Sequence, residues 1–220
     1  MFGGLRLGAV AGVPIILDWS FALLAALLVV PPLVDGGFGR AGYALGLLAA
    51  LAIAVLLHEG GHAIAAAAYK LPSRRIVLTG FGGFVEFLRP PTTRTEDNVI
   101  SFAGPAANLA TAALVYAATL AGASWAPATL LMNVSLAMGV FNLLPAFPLD
   151  GGNIARNLLG LRLKDRTALS ITVWAGVVIG IYLGLMGLAA NAIWATMAGI
   201  YIAGAALERR RRMQGYRPAK

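Results

Sequence analysis

The chain has 220 residues, of which 59% are hydrophobic and 27 are glycine, while only 12% are charged. Its mean hydropathy is +0.79. A soluble domain is about a quarter charged, and a disordered chain combines low hydrophobicity with high net charge, so both classes are excluded and a membrane protein remains. No cysteine is present, which removes disulfides, thiolate metal sites and cysteine nucleophiles.

At about 20 residues per span, the length accommodates six spans with little left for a separate soluble domain. Six apolar stretches can be read in order. The first covers residues 13–34, interrupted by Asp18, and its opening Val13–Leu17 reads equally as a strand at the membrane surface. It is long for a cleavable signal. The second covers 41–69. Residues 70–98 are neither helix nor short turn: Arg75–Thr79 and Phe84–Leu88 are β-prone runs joined by Gly80-Phe81-Gly82-Gly83, a hairpin over about 74–88. The third and fourth stretches cover 99–121 and 128–147. The last two, 168–188 and 189–207, join so tightly around Gly187 and Asn191 that they form a helical hairpin. The expected fold is an all-α polytopic membrane protein of six transmembrane helices with a small membrane-associated β hairpin. It forms a single domain over 1–208, followed by a basic cytoplasmic tail at 209–220.

The charge is +8, from 17 Lys and Arg against nine acids. Six spans put both termini on one side, and sixteen of the 17 cations then fall on that side, with only Arg40 opposite. The positive-inside rule places both termini in the cytoplasm. The net charge is therefore a topology signal, with no nucleic acid needed to explain it. The arginines after residue 208 read as a stop-transfer flank, in preference to a headgroup-binding site.

The second stretch carries Leu57-His58-Glu59-Gly60-Gly61-His62. Two histidines four apart share a helix face and can ligate one ion, and Glu59 is placed to take a proton from a water that the metal polarises. They are the only two histidines in the chain. The bland alternative, polar residues packed in a bundle, is expensive at about 2.5 kcal/mol or more for each ionisable group in a span. Gly60-Gly61 admits either a substrate backbone or a close helix neighbour. Zinc sites of the catalytic kind use three protein ligands and an open position, so without further His or Cys the third ligand is a carboxylate. Asp150 stands out among the nine acids, in Asn142-Leu-Leu-Pro-Ala-Phe-Pro-Leu-Asp150-Gly-Gly152. Pro145 and Pro148 break the helix there, and irregular backbone at depth is tolerated where it lines a cavity. A turn aspartate at a helix end is the competing reading. His58 lies about 16 Å along the helix from Tyr69, so the site is inside the hydrocarbon layer and opens to the cytoplasmic side.

With these residues in view, the chain resembles the site-2 protease family of intramembrane zinc metalloproteases, in a compact form without PDZ or CBS domains. The family's HExxH motif matches His58–His62 and its NxxPxxPxDG motif matches Asn142–Gly151. Gly12–Ser20 resembles the opening segment, Gly80–Gly83 the membrane-associated β loop, and Ala103–Asn108 the third-helix motif. The resemblance implies one Zn2+ per chain, held by His58, His62 and Asp150, with Glu59 activating the water. It implies Asn142 near the scissile carbonyl, and Gly80, Phe81, Gly82, Gly83 and Phe84 holding an unwound substrate segment as an added strand. Asp18 departs from the family, which often has His there. The implied partners are a transmembrane protein substrate and the lipid bilayer, and the implied setting is a prokaryotic plasma membrane. The small-residue-rich spans permit close helix packing within one chain or between chains. The alternatives are a catalytically silent membrane-protein-binding relative of the same fold, and a metal transporter. A transporter expects ligands leading to both membrane faces, whereas the last two stretches offer little polar beyond Thr172 and Asn191.

Overall fold

The computed structural model describes residues 3–80, 82–123 and 125–215, with nothing said of the side chains at 194 and 213–215. Its elements are β1 (Gly4–Val10), β2 (Val13–Asp18), α1 (Trp19–Ala68), β3 (Ser73–Thr79), β4 (Gly82–Phe87), α2 (Arg94–Leu120), α3 (Ala126–Asn142), α4 (Asp150–Leu159), α5 (Asp165–Ala189) and α6 (Ile193–Gly215). The chain forms two compact units, Met1–Val140 and Phe141–Lys220. Among the described residues, three helices are long and apolar enough to cross a membrane: α1, α2 and α5. The protein is thus mostly helical with a small sheet.

In the first unit, the apolar opening of the first stretch is a strand. Val13–Asp18 alternates in burial and pairs with β1 on one side and, in parallel, with β3 on the other. Asp18 ends the strand and caps the helix, accepting hydrogen bonds from the Ser20 N–H at 2.9 Å and the Ser20 hydroxyl at 2.6 Å. What reads in sequence as an interruption of a span is therefore its N-cap. The first two apolar stretches run together as the 50 residues of α1, broken at Gly37, whose φ of 68° and ψ of −164° are non-helical. Glycine tolerates that conformation without a Cβ clash.

The sheet has the order β1-β2-β3-β4, so β1 and β4 are its edges. β3 and β4 are antiparallel, with Ile76 opposite Val85 and Leu78 opposite Gly83. The expected hairpin is present, and the sheet is larger by the two N-terminal strands. Val13, Ile15, Ile76 and Leu78 pack on Val55 and Ala63 of α1. The hairpin is tied down at two further points. The Gly80 N–H donates to the Ser20 hydroxyl at 3.1 Å, and Arg75 and Arg74 donate to the Glu86 carboxylate at 2.6 and 3.1 Å. α2 starts where Thr93 accepts from the Glu96 N–H at 3.1 Å, and the buried Glu96 carboxylate accepts from the Thr92 N–H and hydroxyl.

In the second unit, α5 and α6 form the expected hairpin, turning at Asn191 with φ 52°. Their backbones meet where a side chain at Gly180 would lie 2.6 Å from Ala203 N, the small-residue contact that lets membrane helices approach closely. The helix α4 lies within the segment that the apolar pattern leaves between the fourth and fifth stretches. α6 continues through Arg209–Arg212. Arg209 lies over the Phe147 ring at 5.2 Å and Arg210 over Trp174 at 4.9 Å.

The hydrogen bonds from Ser20 hold the Asp18 carboxyl below its ordinary value of 3.8. A depressed folded-state pKa contributes stability that is complete above the unfolded value and is lost as pH falls through the folded one. Asp18→Ala is expected to lower stability by about 1 kcal/mol at neutral pH. Asp18→Asn keeps the cap and removes its acid dependence, as thermal unfolding of detergent-solubilised protein at pH 7 and pH 3 would reveal.

Candidate metal centre

His58, Glu59 and His62 sit in the second half of α1 and are 3%, 4% and 8% exposed. The two rings meet edge to face, with centroids 4.8 Å apart and planes at 85°. Each ring is engaged at Nδ1 by α2. His62 Nδ1 lies 2.6 Å from the Ile100 carbonyl oxygen. A carbonyl only accepts, so Nδ1 carries the proton and, in the neutral ring, Nε2 carries the lone pair. His58 Nδ1 lies 3.3 Å from the Asn108 side-chain amide.

The Nε2 atoms converge. A methyl placed on Gly104 of α2 would fall on the Nε2 of His62 and lie 2.9 Å from the Nε2 of His58. Glycine there leaves room for the two rings between Ile100 and Asn108, one helical turn from each. Pro105 beside it removes the helical donor of the Ser101 carbonyl. The paired glycines of α1 have separate reasons. A side chain at Gly61 would meet the Ala103 carbonyl at 2.5 Å, so Gly61 admits the neighbouring helix α2. Gly60 faces Val10 of β1 at van der Waals distance.

Glu59 is met from another direction by β4. A Cβ on Gly83 would lie 2.6 Å from Glu59 Cγ and 2.9 Å from its Oε1. The strand backbone therefore runs directly over the carboxylate. Gly82 holds φ +126°, and its carbonyl accepts from the Thr79 hydroxyl at 3.0 Å. Gly80 packs on the first turn of α1, where a Cβ would lie 2.5 Å from the Ser20 carbonyl. Phe84 is half-buried in β4, and Phe81 lies outside the described residues.

Asn142 and Asp150 belong to the second unit. Asn142 is the last residue of α3, and Asp150 the first of α4. Both are half-buried. The segment between them folds back on itself. A side chain at Gly152 would lie 2.7 Å from the Ala146 carbonyl, and one at Gly151 would strike the carbonyls of Leu143 and Leu144. The loop is fixed to α5 by Phe147 N–H donating to the Thr172 carbonyl at 2.9 Å, and a methyl on Gly176 would strike the Phe147 carbonyl. At the N-terminus of α4, the Asp150 carboxylate is favoured by the helix dipole.

The donors fit a borderline-soft divalent ion. Two imidazoles bring their Nε2 atoms together, and their Nδ1 atoms are held from behind as in metal-bound histidines. The motif was legible in sequence. The Ile100 carbonyl was not, because any residue supplies one. Asn108 carried a signal, a polar residue inside an apolar helix.

A helical, apolar chain with such a pair defines a membrane-associated metalloprotein. Residues 46–124 and 118–186 match the model of Peptidase family M50, and the chain belongs to that family, the site-2 protease family. Rip3 of Mycobacterium tuberculosis is 32% identical over 97% of this chain and 60% of its own length. Zinc metalloprotease MJ0392 of Methanocaldococcus jannaschii is 26% identical over 90% of this chain and 58% of its own. The chain thus spans about 60% of the length of these curated relatives. The solved Site-2 Protease from Methanocaldococcus jannaschii superposes with a TM-score of 0.72, covering 99% of this chain and 97% of that one at 24% identity. The two share a fold.

Gly104→Ala places a methyl against the Nε2 atoms of both rings. It is expected to abolish binding of Zn2+ or Co2+ while costing about 1–3 kcal/mol in stability, checked by the cobalt visible spectrum and thermal unfolding. Unaltered cobalt binding would show that the ion does not use this space.

Proposed function

We propose that this protein is an intramembrane zinc metalloprotease, which hydrolyses peptide bonds within or next to transmembrane segments of membrane-protein substrates in regulated intramembrane proteolysis. The observation that carries this reading is the convergence of two buried imidazoles beside a buried glutamate on an apolar helix. The family and the relatives' zinc metalloprotease name support it.

In this reading His58, His62 and Asp150 are the zinc ligands, two nitrogens and one carboxylate oxygen, as in catalytic sites with an open position. Bound there, zinc supplies Lewis acidity toward water and the peptide carbonyl. Glu59 takes the water's proton as the oxygen attacks the carbonyl carbon, and gives it to the leaving amide nitrogen as the C–N bond breaks. Asn142 donates to the carbonyl oxygen as negative charge develops there. A substrate helix hides its carbonyls in internal hydrogen bonds, so it must unwind before cleavage. β4 is a sheet edge running over Glu59, and residues 80–84 offer the extended substrate a strand partner.

The proposed topology has six spans: two from α1, broken at Gly37, then α2, α3, α5 and α6. At about 1.5 Å per residue, an unbroken 50-residue helix would be more than twice the hydrocarbon thickness, which supports a return at Gly37. The distribution of Lys and Arg orients both termini, and the opening of the site, toward the cytoplasm.

The test is zinc content and cleavage of a labelled single-span peptide with a helix-destabilising segment, both in lipid nanodiscs. Wild type and Glu59→Gln are expected to hold about one zinc per chain, with cleavage reduced roughly 10²–10⁴-fold in Glu59→Gln. His58→Ala and Asp150→Ala are expected to lose the zinc. Undiminished cleavage by Glu59→Gln would remove the proposed base, and zinc surviving Asp150→Ala would remove the third ligand.

A further inference from the structure

Asn108 is wholly buried in α2, where an amide costs free energy unless it is hydrogen-bonded. Its Nδ2 is drawn 3.3 Å from His58 Nδ1, and its Oδ1 has no hydrogen-bond partner. The two ends of an amide have nearly the same shape, so exchanging them presents Oδ1 to His58 instead. The two orientations are chemically opposite. With Nδ2 toward the ring, His58 Nδ1 accepts, and the proton of the neutral ring sits on Nε2. With Oδ1 toward the ring, Nδ1–H donates and Nε2 keeps its lone pair. His62 faces no such choice, because the Ile100 carbonyl can only accept.

We propose that Asn108 is the positioning residue of His58. Its Oδ1 accepts from His58 Nδ1–H and selects the tautomer that leaves the Nε2 lone pair, next to the His62 Nε2 beside Gly104, free for an ion. This inference rests on reading the two histidines as metal ligands. In the exchanged orientation Oδ1 has the His58 Nδ1–H as its donor, and Nδ2 takes the place that Oδ1 leaves. Positions 100, 104 and 108 then form one stripe of α2 in which the roles are divided. Ile100 gives a backbone acceptor for His62, Gly104 room for the two rings, and Asn108 a side-chain acceptor for His58. A backbone carbonyl cannot be mutated away, whereas the amide can, so zinc affinity depends on the identity of residue 108.

Zinc affinity is measured by chelator competition on the full chain in nanodiscs, for wild type, His58→Ala, Asn108→Leu and Asn108→Asp. Asn108→Leu, of similar size without an acceptor, is expected to weaken zinc binding roughly 10–100-fold. Asn108→Asp, which retains an acceptor, is expected to stay near wild type. Wild-type affinity in Asn108→Leu, or an equal loss in both variants, overturns the proposal. If instead His58→Ala binds zinc as wild type does, the metal reading itself fails, a distinct outcome. A second measurement needs no variant to fold. The chain has two histidines, and long-range proton–nitrogen correlation on the metal-free wild type, with neutral rings, reports each tautomer. A proton on Nδ1 of both rings is expected, and one on Nε2 of His58 overturns the assignment.

Discussion

Two imidazoles four residues apart on a helix share a face but are offset along the axis by about 6 Å. They can aim their Nε2 atoms at one point only if each ring is turned and held at its other nitrogen. In an apolar bundle no bulk water does this, so a second helix must. α2 lies close enough because Gly61 removes the side chain that would strike the Ala103 carbonyl, and Gly104 leaves room for the rings. The register of α1 against α2 therefore follows from the needs of the two rings. Ile100 serves His62, and Asn108, two turns further along, serves His58.

The same helix fixes the sheet. β2 leads into α1 and β3 follows it, and the two strands pair in parallel through Ile15–Leu17 and Ile76–Leu78. One end of the arrangement is pinned where Asp18 caps the helix and Ser20 holds the hairpin turn through the Gly80 N–H. Val55 and Ala63, flanking the histidine motif, pack on the inner face of the sheet. β4 consequently lies over Glu59 with only a glycine between backbone and carboxylate. A sheet in so apolar a chain leaves strand edges to be accommodated, and here one edge lies beside the candidate site.

The sequence was informative where physics is local and periodic. Long apolar stretches became helices, and the β-prone runs around Gly80–Gly83 became β3 and β4. It left two readings open where one pattern serves two structures. Val13–Leu17 is an unbroken apolar run, which fits a buried strand as well as the start of a span. Asp18 then looked like a defect in a helix when it was the signal of the helix's beginning. α4 has no apolar stretch of span length, because it is ten residues long, opens with two glycines in its first turn, and interleaves Asn153, Arg156 and Asn157 with its apolar residues. In the site, side chains with rare chemistry were legible and the groups that aim them were not. A backbone carbonyl has no sequence signature, and the function of Asn108 emerges only once its neighbour across the helix interface is known.

The second unit illustrates how an acid can be placed by groups that carry no charge. Asp150 begins a short helix whose N-cap, Leu149, supplies no side-chain hydrogen bond. The turn leading to it is set by backbone contacts. The glycines at 151 and 152 allow α4 to nest against the carbonyls of the preceding loop, and the loop's Phe147 is bonded to Thr172 and packed over Gly176 of α5. Phe147 also meets Arg209 across its ring. The contacts that build this turn thus involve small residues and backbone atoms spread over three segments. The usual structural reason for an acid at a helix start is capping, which falls to the residue one position earlier, and here that residue is a leucine. The carboxylate sits instead in the first turn, where the helix dipole favours it, and the proposed reading gives one of its oxygens a further role as the third donor beside two imidazole nitrogens.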